Sequence, residues 1–368
     1  MRNPFKPTAG ARPPLVVGRQ NALEGFLEGL EDGPGAPGLL TIFTGARGIG
    51  KTVMLTEAED AALSAGWAVI TDTATPGLID RLTRALRKHL NELGDGPPGR
   101  RITGVAAAGF GVTTRLSAVP PDDFRTIATE LTTLLAGHET GLVISIDEIH
   151  AIDRAELTEL AAVIQHLIRE ELPISLLLAG IPKSVSDLLN EDVSTFLRRA
   201  DRIDLKDVPI AEVRVALART FVDTDVAITD DQLDLTAAAT DGYPFLIQLV
   251  GYQVWRRSVG GRLTDEAVAE GVAAARRRLG STVLQASLAD LSKVDRTFLV
   301  KMAEDNGPSQ LRDIAERLGE STKYAGTYRR RLIDAGIIID AGRGFVTFAV
   351  PHLRQYLREN AASVLGIR

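Results

Sequence analysis

Apolar residues in this chain follow two rhythms. Short unbroken apolar runs at 39–43, 67–71, 142–146 and 174–179 have the length and branched content of strands buried on both faces. A fifth, more polar run at 202–205 belongs with them. Between the runs, apolar positions recur at three- and four-residue spacing over 20–31, 56–65, 77–93, 121–136, 154–171 and 182–190, which predicts amphipathic helices. Strands alternating with helices predict an α/β class with a mostly parallel sheet. The break Gly94-Asp95-Gly96-Pro97-Pro98-Gly99 and the small and valine-rich stretch after it predict a β-hairpin insertion at 100–117. Such a hairpin could touch nucleic acid or a neighbouring protomer, or be inert.

From 208 onward only the helical rhythm persists, over 210–221, 229–240, 244–259 and 265–288, which predicts a helical lid. The last fifth, roughly, changes again. Helices at 294–304, 309–318 and 321–335 precede two short strands at 336–340 and 344–349 around Ala341-Gly342-Arg343. Three helices and a β-wing read as a C-terminal winged helix. The expected organisation is an extended Pro-, Gly- and Arg-rich arm at 1–14, a core at 15–206, the lid at 207–290, the winged helix at 291–357 and a tail at 358–368.

Composition narrows the possibilities. With 368 residues, 45% of them hydrophobic, each unit can bury a core. Cysteine is absent and the five histidines are scattered, so neither a disulfide framework nor a thiolate metal site is expected. The first residues lack a signal peptide's apolar core, and no uncharged apolar run reaches the eighteen or so residues of a membrane span, so the expectation is a cytoplasmic protein with no membrane partner. The net charge of −6 requires that any nucleic acid be met by a local basic surface. The segment 291–357 supplies one, with eleven basic and eight acidic residues. Lys323, Tyr324, Tyr328, Arg329 and Arg330 fall on its third helix and Arg343 on the wing tip, positions from which phosphates and groove edges are reached. The alternative is a protein-contact module with a solvated arginine face.

The sharpest chemical signal lies behind the first apolar run. Residues 45–52 read Gly45-Ala46-Arg47-Gly48-Ile49-Gly50-Lys51-Thr52, a full GxxxxGK[ST] loop, with Val53 continuing into the helix. Glycines let successive N–H groups close around phosphates, Lys51 reaches the β and γ oxygens, and the Thr52 hydroxyl ligates Mg²⁺. This predicts a P-loop that binds ATP with magnesium. The run 142–146 ends in Asp147-Glu148. Beside such a loop, Asp147 is expected to hold the metal and Glu148 to polarise the attacking water. A strand intervening in sequence between the two motifs suggests the additional-strand (ASCE) branch of P-loop ATPases, with the nucleotide at the carboxyl edge of the sheet.

The order of Gly18-Arg19, phosphate loop, Asp147-Glu148, helical lid and winged helix resembles AAA+ ATPases of the origin-recognition initiator type and related bacterial ATP-binding proteins, over about residues 15 to 357. The resemblance implies that the arm helps seat adenine, making Val17, Gly18 and Tyr243 candidates. It also implies that an arginine after the fourth strand meets phosphate from a neighbouring subunit of a homo-oligomer. Arg198 or Arg199 matches that position, with a surface ion pair as the alternative. Two departures stand out: the fourth strand ends Ala179-Gly180 where relatives place Asn or Thr, and the lid turn Gly242-Tyr243-Pro244 lacks the usual arginine. Both imply slow hydrolysis. The lid turn instead looks like that of STAND signalling ATPases. The expected function is therefore a nucleotide-controlled ATPase switch that binds or remodels double-stranded DNA, or alternatively one whose winged helix contacts protein.

Overall fold

The structure is a computed structural model that describes residues 2–8, 10–14, 16, 19–93, 100–102, 114–116, 123–182, 185, 186, 189, 196–289 and 291–366. The core runs α1 (Gln20–Asp32), β1 (Leu40–Thr44), α2 (Lys51–Ser64), β2 (Ala68–Thr73), α3 (Leu78–Leu93), a hairpin of β3 (Arg100–Ile102) and β4 (Thr114–Leu116), α4 (Phe124–Ala136), β5 (Leu142–Asp147), α5 (Arg154–Arg169), β6 (Ile174–Gly180) and β7 (Asp201–Asp204). Five strands pair in parallel in the order β2-β5-β6-β1-β7. Thus β6 lies between the strand that feeds the phosphate loop and the strand that ends in the acidic pair, which is an additional-strand arrangement, whereas the strand that intervenes in sequence, β2, lies at the sheet edge.

Alternation along the strands divides the core in two. Phe43, Val143 and Leu177 face one apolar cluster with α2 and the lid, whereas Ile42, Ile144, Leu176 and Leu178 face another with α3, α4 and α5. Both faces are covered, which is why these strands read as unbroken apolar runs rather than alternating ones. The edge strand β7 is polar because it is exposed along most of its length. Helix starts are set locally: Asp123 accepts from Thr126 N at 2.7 Å, and Asp153 from Ala155 N at 2.8 Å, so α4 begins three residues later than the apolar pattern alone suggests.

The lid comprises α6 (Ile210–Val222), α7 (Asp230–Ala238), α8 (Pro244–Trp255), α9 (Asp265–Leu279) and α10 (Gln285–Ala289), with a π-helical turn, Gly280–Leu284, between the last two. The expected single helix over 265–288 is therefore interrupted by that turn. The C-terminal module has α11 (Lys293–Ala303), β8 (Ser309–Gln310), α12 (Leu311–Leu318), α13 (Thr322–Asp334), β9 (Ile338–Asp340), β10 (Phe345–Phe348) and α14 (Leu353–Leu365). Its three short strands form an antiparallel sheet in the order β8-β10-β9.

The segment from 358 onward differs from expectation. It continues α14, whose Leu353 and Leu357 are fully buried and whose Arg358 donates to the carbonyls of Ala303 and Asp305 at the end of α11. A cation there meets carbonyls left without intrahelical partners. The helix expected at 182–190 lies largely outside the described residues. No helix among the described residues is long and apolar enough to cross a membrane.

The arm at 2–14 docks on the lid. Phe5 is buried, with its ring 5.6 Å from that of Phe221 and packed so closely on Gly251 that a Cβ there would fall 2.4 Å from the ring. Asn3 donates to Tyr252 O at 3.1 Å, and Lys6 N donates to Gln248 Oε1 at 3.1 Å. At the other end, Arg12 pairs with Glu57 at 3.0 Å and with Asp60, both on α2. The segment between spans from lid to core.

Candidate nucleotide site

The phosphate loop leaves the carboxyl end of β1 and runs into α2, whose first residue is Lys51. Lys51 is 6% exposed, and its ammonium donates to the Gly45 and Ala46 carbonyls at 3.1 Å each. Burial pushes its pKa below the usual lysine value, opposed by the negative charges of Glu148 and Asp147. Thr52 Oγ1, on the same helical turn, donates to Asp147 Oδ2 at 2.5 Å. Asp147 Oδ1 in turn accepts from the Glu148 N–H at 2.8 Å, with Glu148 in a left-handed conformation at φ 54°. The juxtaposition expected of Lys51, Thr52, Asp147 and Glu148 is thus met at one end of one sheet.

These groups border a cavity of about 440 Å³, lined by loop residues from Arg47 to Met54 and by Glu148. The arm closes one side with Lys6, Pro13 and Val16, and the lid closes another with Tyr243, Phe245, Gln248 and Val283. That volume is in the range of small-ligand sites. Apolar side chains such as Val16, Phe245 and Val283 in the cavity lining suit a base, and the loop at the helix N-terminus suits phosphate. The donor set also fits magnesium: a hydroxyl and a carboxylate oxygen side by side are hard ligands, and this ion keeps several waters, so no larger carboxylate cluster is needed.

Tyr243 does not simply add to the apolar lining. It is 1% exposed, and its hydroxyl donates to Arg47 O at 2.7 Å, tying the lid to the phosphate loop. Burial raises its pKa strongly, with Asp207 adding to the effect, so the hydroxyl stays protonated and donating. The next residue, Gly48, has φ +74°, and a Cβ there would fall 1.9 Å from Tyr243 Oη. Only glycine fits.

Arg19 belongs to the Gly18-Arg19 pair noted in the sequence but is not among the residues expected at the site. It lines the cavity and donates to Ile49 O at 3.2 Å and to Lys206 O, joining the phosphate loop to the strand-to-lid connection. Its burial lowers the guanidinium pKa, opposed by Asp207 and Glu212. Its place directly after Gly18 was the available signal. Val17 and Gly18 themselves lie outside the described residues, although their neighbours Val16 and Arg19 line the cavity.

Arg198 and Arg199 are not brought to this cavity. They precede β7, which starts beside Thr41 near the amino end of β1, so they sit at the opposite edge of the sheet from the phosphate loop. Arg198 Nε donates to Leu189 O at 2.8 Å, and Arg199 lines a separate cleft with Asp201 and Ile174. In the C-terminal module, Lys323, Arg330 and Arg343 are exposed, whereas Arg329 pairs with Asp340 and the Tyr328 hydroxyl donates to that of Tyr324 at 3.2 Å.

The sheet order, the phosphate loop and the apposed acidic pair make up a P-loop ATPase fold. Residues 15–178 match the AAA ATPase domain, and residues 281–357 match a domain of unknown function, DUF8462. No curated protein matches the chain by sequence. Among solved structures, a Walker-type ATPase of Pyrococcus abyssi is 14% identical with a TM-score of 0.68, over 94% of this chain and 97% of that one. The Aeropyrum pernix ORC2 protein, in ADPNP–ADP complexes, is 16% identical with a TM-score of 0.63, over 98% and 97%. The likeness to both is one of fold, and it extends from the core through the C-terminal module.

Proposed function

We propose that this chain binds and hydrolyses ATP with magnesium and uses the nucleotide to control the arrangement of its lid and C-terminal module. The observation that carries this is the approach of Thr52 to Asp147 beside buried Lys51, in a cavity that Glu148 also borders. In this reading Lys51 binds the β and γ phosphates, and Thr52 and Asp147 hold the metal. A bound magnesium ion would neutralise phosphate charge. Glu148 orients a water against the γ-phosphorus and takes its proton. The neighbouring Aeropyrum ORC2 structure, with its bound nucleotides, supports the ligand class.

The test is a pair of variants followed by nucleotide binding and phosphate release. Lys51→Ala is expected to abolish ATP binding, and Glu148→Gln to preserve binding while stopping turnover. Normal hydrolysis by Glu148→Gln would overturn the assigned role.

The C-terminal module is read as a winged helix that binds double-stranded DNA. The exposed cations Lys323 and Arg330 on α13 and Arg343 in the turn before β10 support this reading, while Arg329 and Tyr328 are held in contacts within the module. DNA titrations at two salt concentrations are expected to show affinity falling with salt, with the slope reduced by about one for each phosphate-contacting cation removed. Exposed Ile339 and Phe345 on the same small sheet favour a second reading, in which the module contacts protein in a signalling switch. Absence of DNA binding at low salt, with and without ATP, would select it.

A further inference from the structure

We propose that Arg47, the third residue of the phosphate loop, is a catalytic residue whose guanidinium contacts the terminal phosphate and supplies the positive charge that the lid lacks. The inference rests on the reading of the cavity as an ATP site, and it adds a role that the loop motif does not assign.

Among the described residues, four cations line the cavity: Lys6, Arg19, Arg47 and Lys51. The Arg19 guanidinium is committed to the Ile49 and Lys206 carbonyls, and the Lys51 ammonium, held at the loop, already has its role on the β and γ phosphates. Lys6 belongs to the arm, whose backbone is fixed to the lid at Gln248. Helix α8 opens Pro244-Phe245-Leu246-Ile247-Gln248 with no basic side chain, and β6 ends in Ala179-Gly180 followed by buried Ile181. Neither the lid helix nor the fourth strand therefore offers a cation to the phosphate loop. Arg47 does. Its side chain is exposed at the cavity and forms no ion pair or hydrogen bond among the described residues, and its charge is felt by Lys51.

The backbone that carries this arginine is held from above. Tyr243 fixes the Arg47 carbonyl at 2.7 Å, and the absence of a side chain at Gly48 lets the tyrosine ring descend onto the loop. Where a lid arginine would reach down to phosphate, here a lid tyrosine holds the peptide from which a loop arginine reaches across. Tyr243 is thus a positioning residue. A planar guanidinium can contact two phosphate oxygens at once. As the water oxygen bonds to the γ-phosphorus and the bond to the β,γ-bridging oxygen breaks, ADP keeps the electron pair, the water's proton passes to Glu148, and Arg47 stabilises charge on the phosphate oxygens without changing its own bonds.

The experiment uses the full chain with magnesium, comparing steady-state hydrolysis and calorimetric ADP binding for Arg47→Ala, Arg47→Lys, Tyr243→Phe and the double variant. Loss of one such donor is expected to lower kcat by about 10²-fold in Arg47→Ala while ADP affinity stays within about twofold. Arg47→Lys should recover part of the rate. Tyr243→Phe should lower kcat less, and should add nothing on the Arg47→Ala background, because it acts through that arginine. An unchanged kcat in Arg47→Ala would overturn the proposal, as would equal losses of ADP affinity and rate or a wild-type chain without turnover. Lys51→Ala serves as the control: if it still binds ADP, the fault lies with the reading of the cavity and not with Arg47.

Discussion

Thr52 and Asp147 are 95 residues apart in the chain and 2.5 Å apart in space. Each was legible from sequence because its neighbours make a recognisable pattern, a glycine-spaced loop for one and an apolar run ending in acids for the other. Their contact carries a prediction: Asp147→Ala should raise the magnesium concentration needed for half-maximal hydrolysis by about 10- to 100-fold, read from a metal titration with the Thr52 hydroxyl intact. Gly48 carries another. A methyl group there would meet Tyr243 Oη at 1.9 Å on a left-handed backbone, so Gly48→Ala should lower stability by about 1–3 kcal/mol and weaken nucleotide binding, measured by melting and calorimetry. The Tyr243–Arg47 bond was not legible. Nothing in a Gly-Tyr-Pro turn says which carbonyl, 196 residues away, the hydroxyl will meet.

At the scale of elements, the apolar runs gave the sheet strands with small errors at their ends, because both faces of the sheet are covered and burial dictates composition. Helix boundaries moved where a local device intervened. The Ser292 capping box with Asp295 starts α11 at Lys293, and α2 begins at Lys51 directly from the loop rather than at 56. The part of α14 beyond residue 357 falls in the expected tail because buried apolar positions are few there: Leu353 and Leu357 precede it, and of its described residues Val364 alone is buried. The arm shows the same limit more sharply: one phenylalanine among polar residues gives no periodic signal, yet Phe5 is among the buried core. Replacing a buried phenylalanine by alanine removes about 3–5 kcal/mol of packing. Phe5→Ala is therefore expected to free the arm without unfolding the core, with faster ADP dissociation and faster proteolysis within residues 8–14, both absent if the arm is merely appended.

For the molecule as a whole, one contact between the C-terminal module and the lid is that of His352 with the lid turn. His352 Nε2 lies 3.1 Å from Asp241 Oδ2, one residue before the Gly242-Tyr243 segment that reaches the phosphate loop. Burial lowers the His352 pKa, with Asp241 opposing and Arg276 adding to the effect. Since the unfolded chain then binds the proton more readily, stability from this group is intact above about pH 6.5 and declines as pH falls below it. Melting temperature should fall between pH 7 and pH 5 more steeply in the wild-type chain than in His352→Gln. Equal slopes would remove His352 from the account.

The sequence by itself determined the class of fold and the four positions proposed to carry the chemistry, because strand burial, helical spacing and the phosphate loop are local patterns that a single stretch of chain must satisfy. Tertiary structure alone decided which groups meet: the arm over the cavity, Arg19 on the loop, Tyr243 on Arg47, and Arg198 and Arg199 at the far edge of the sheet. Those contacts depend on how layers pack and on which strand lies beside which, and no spacing along the chain encodes a distance between segments that only the folded sheet brings together.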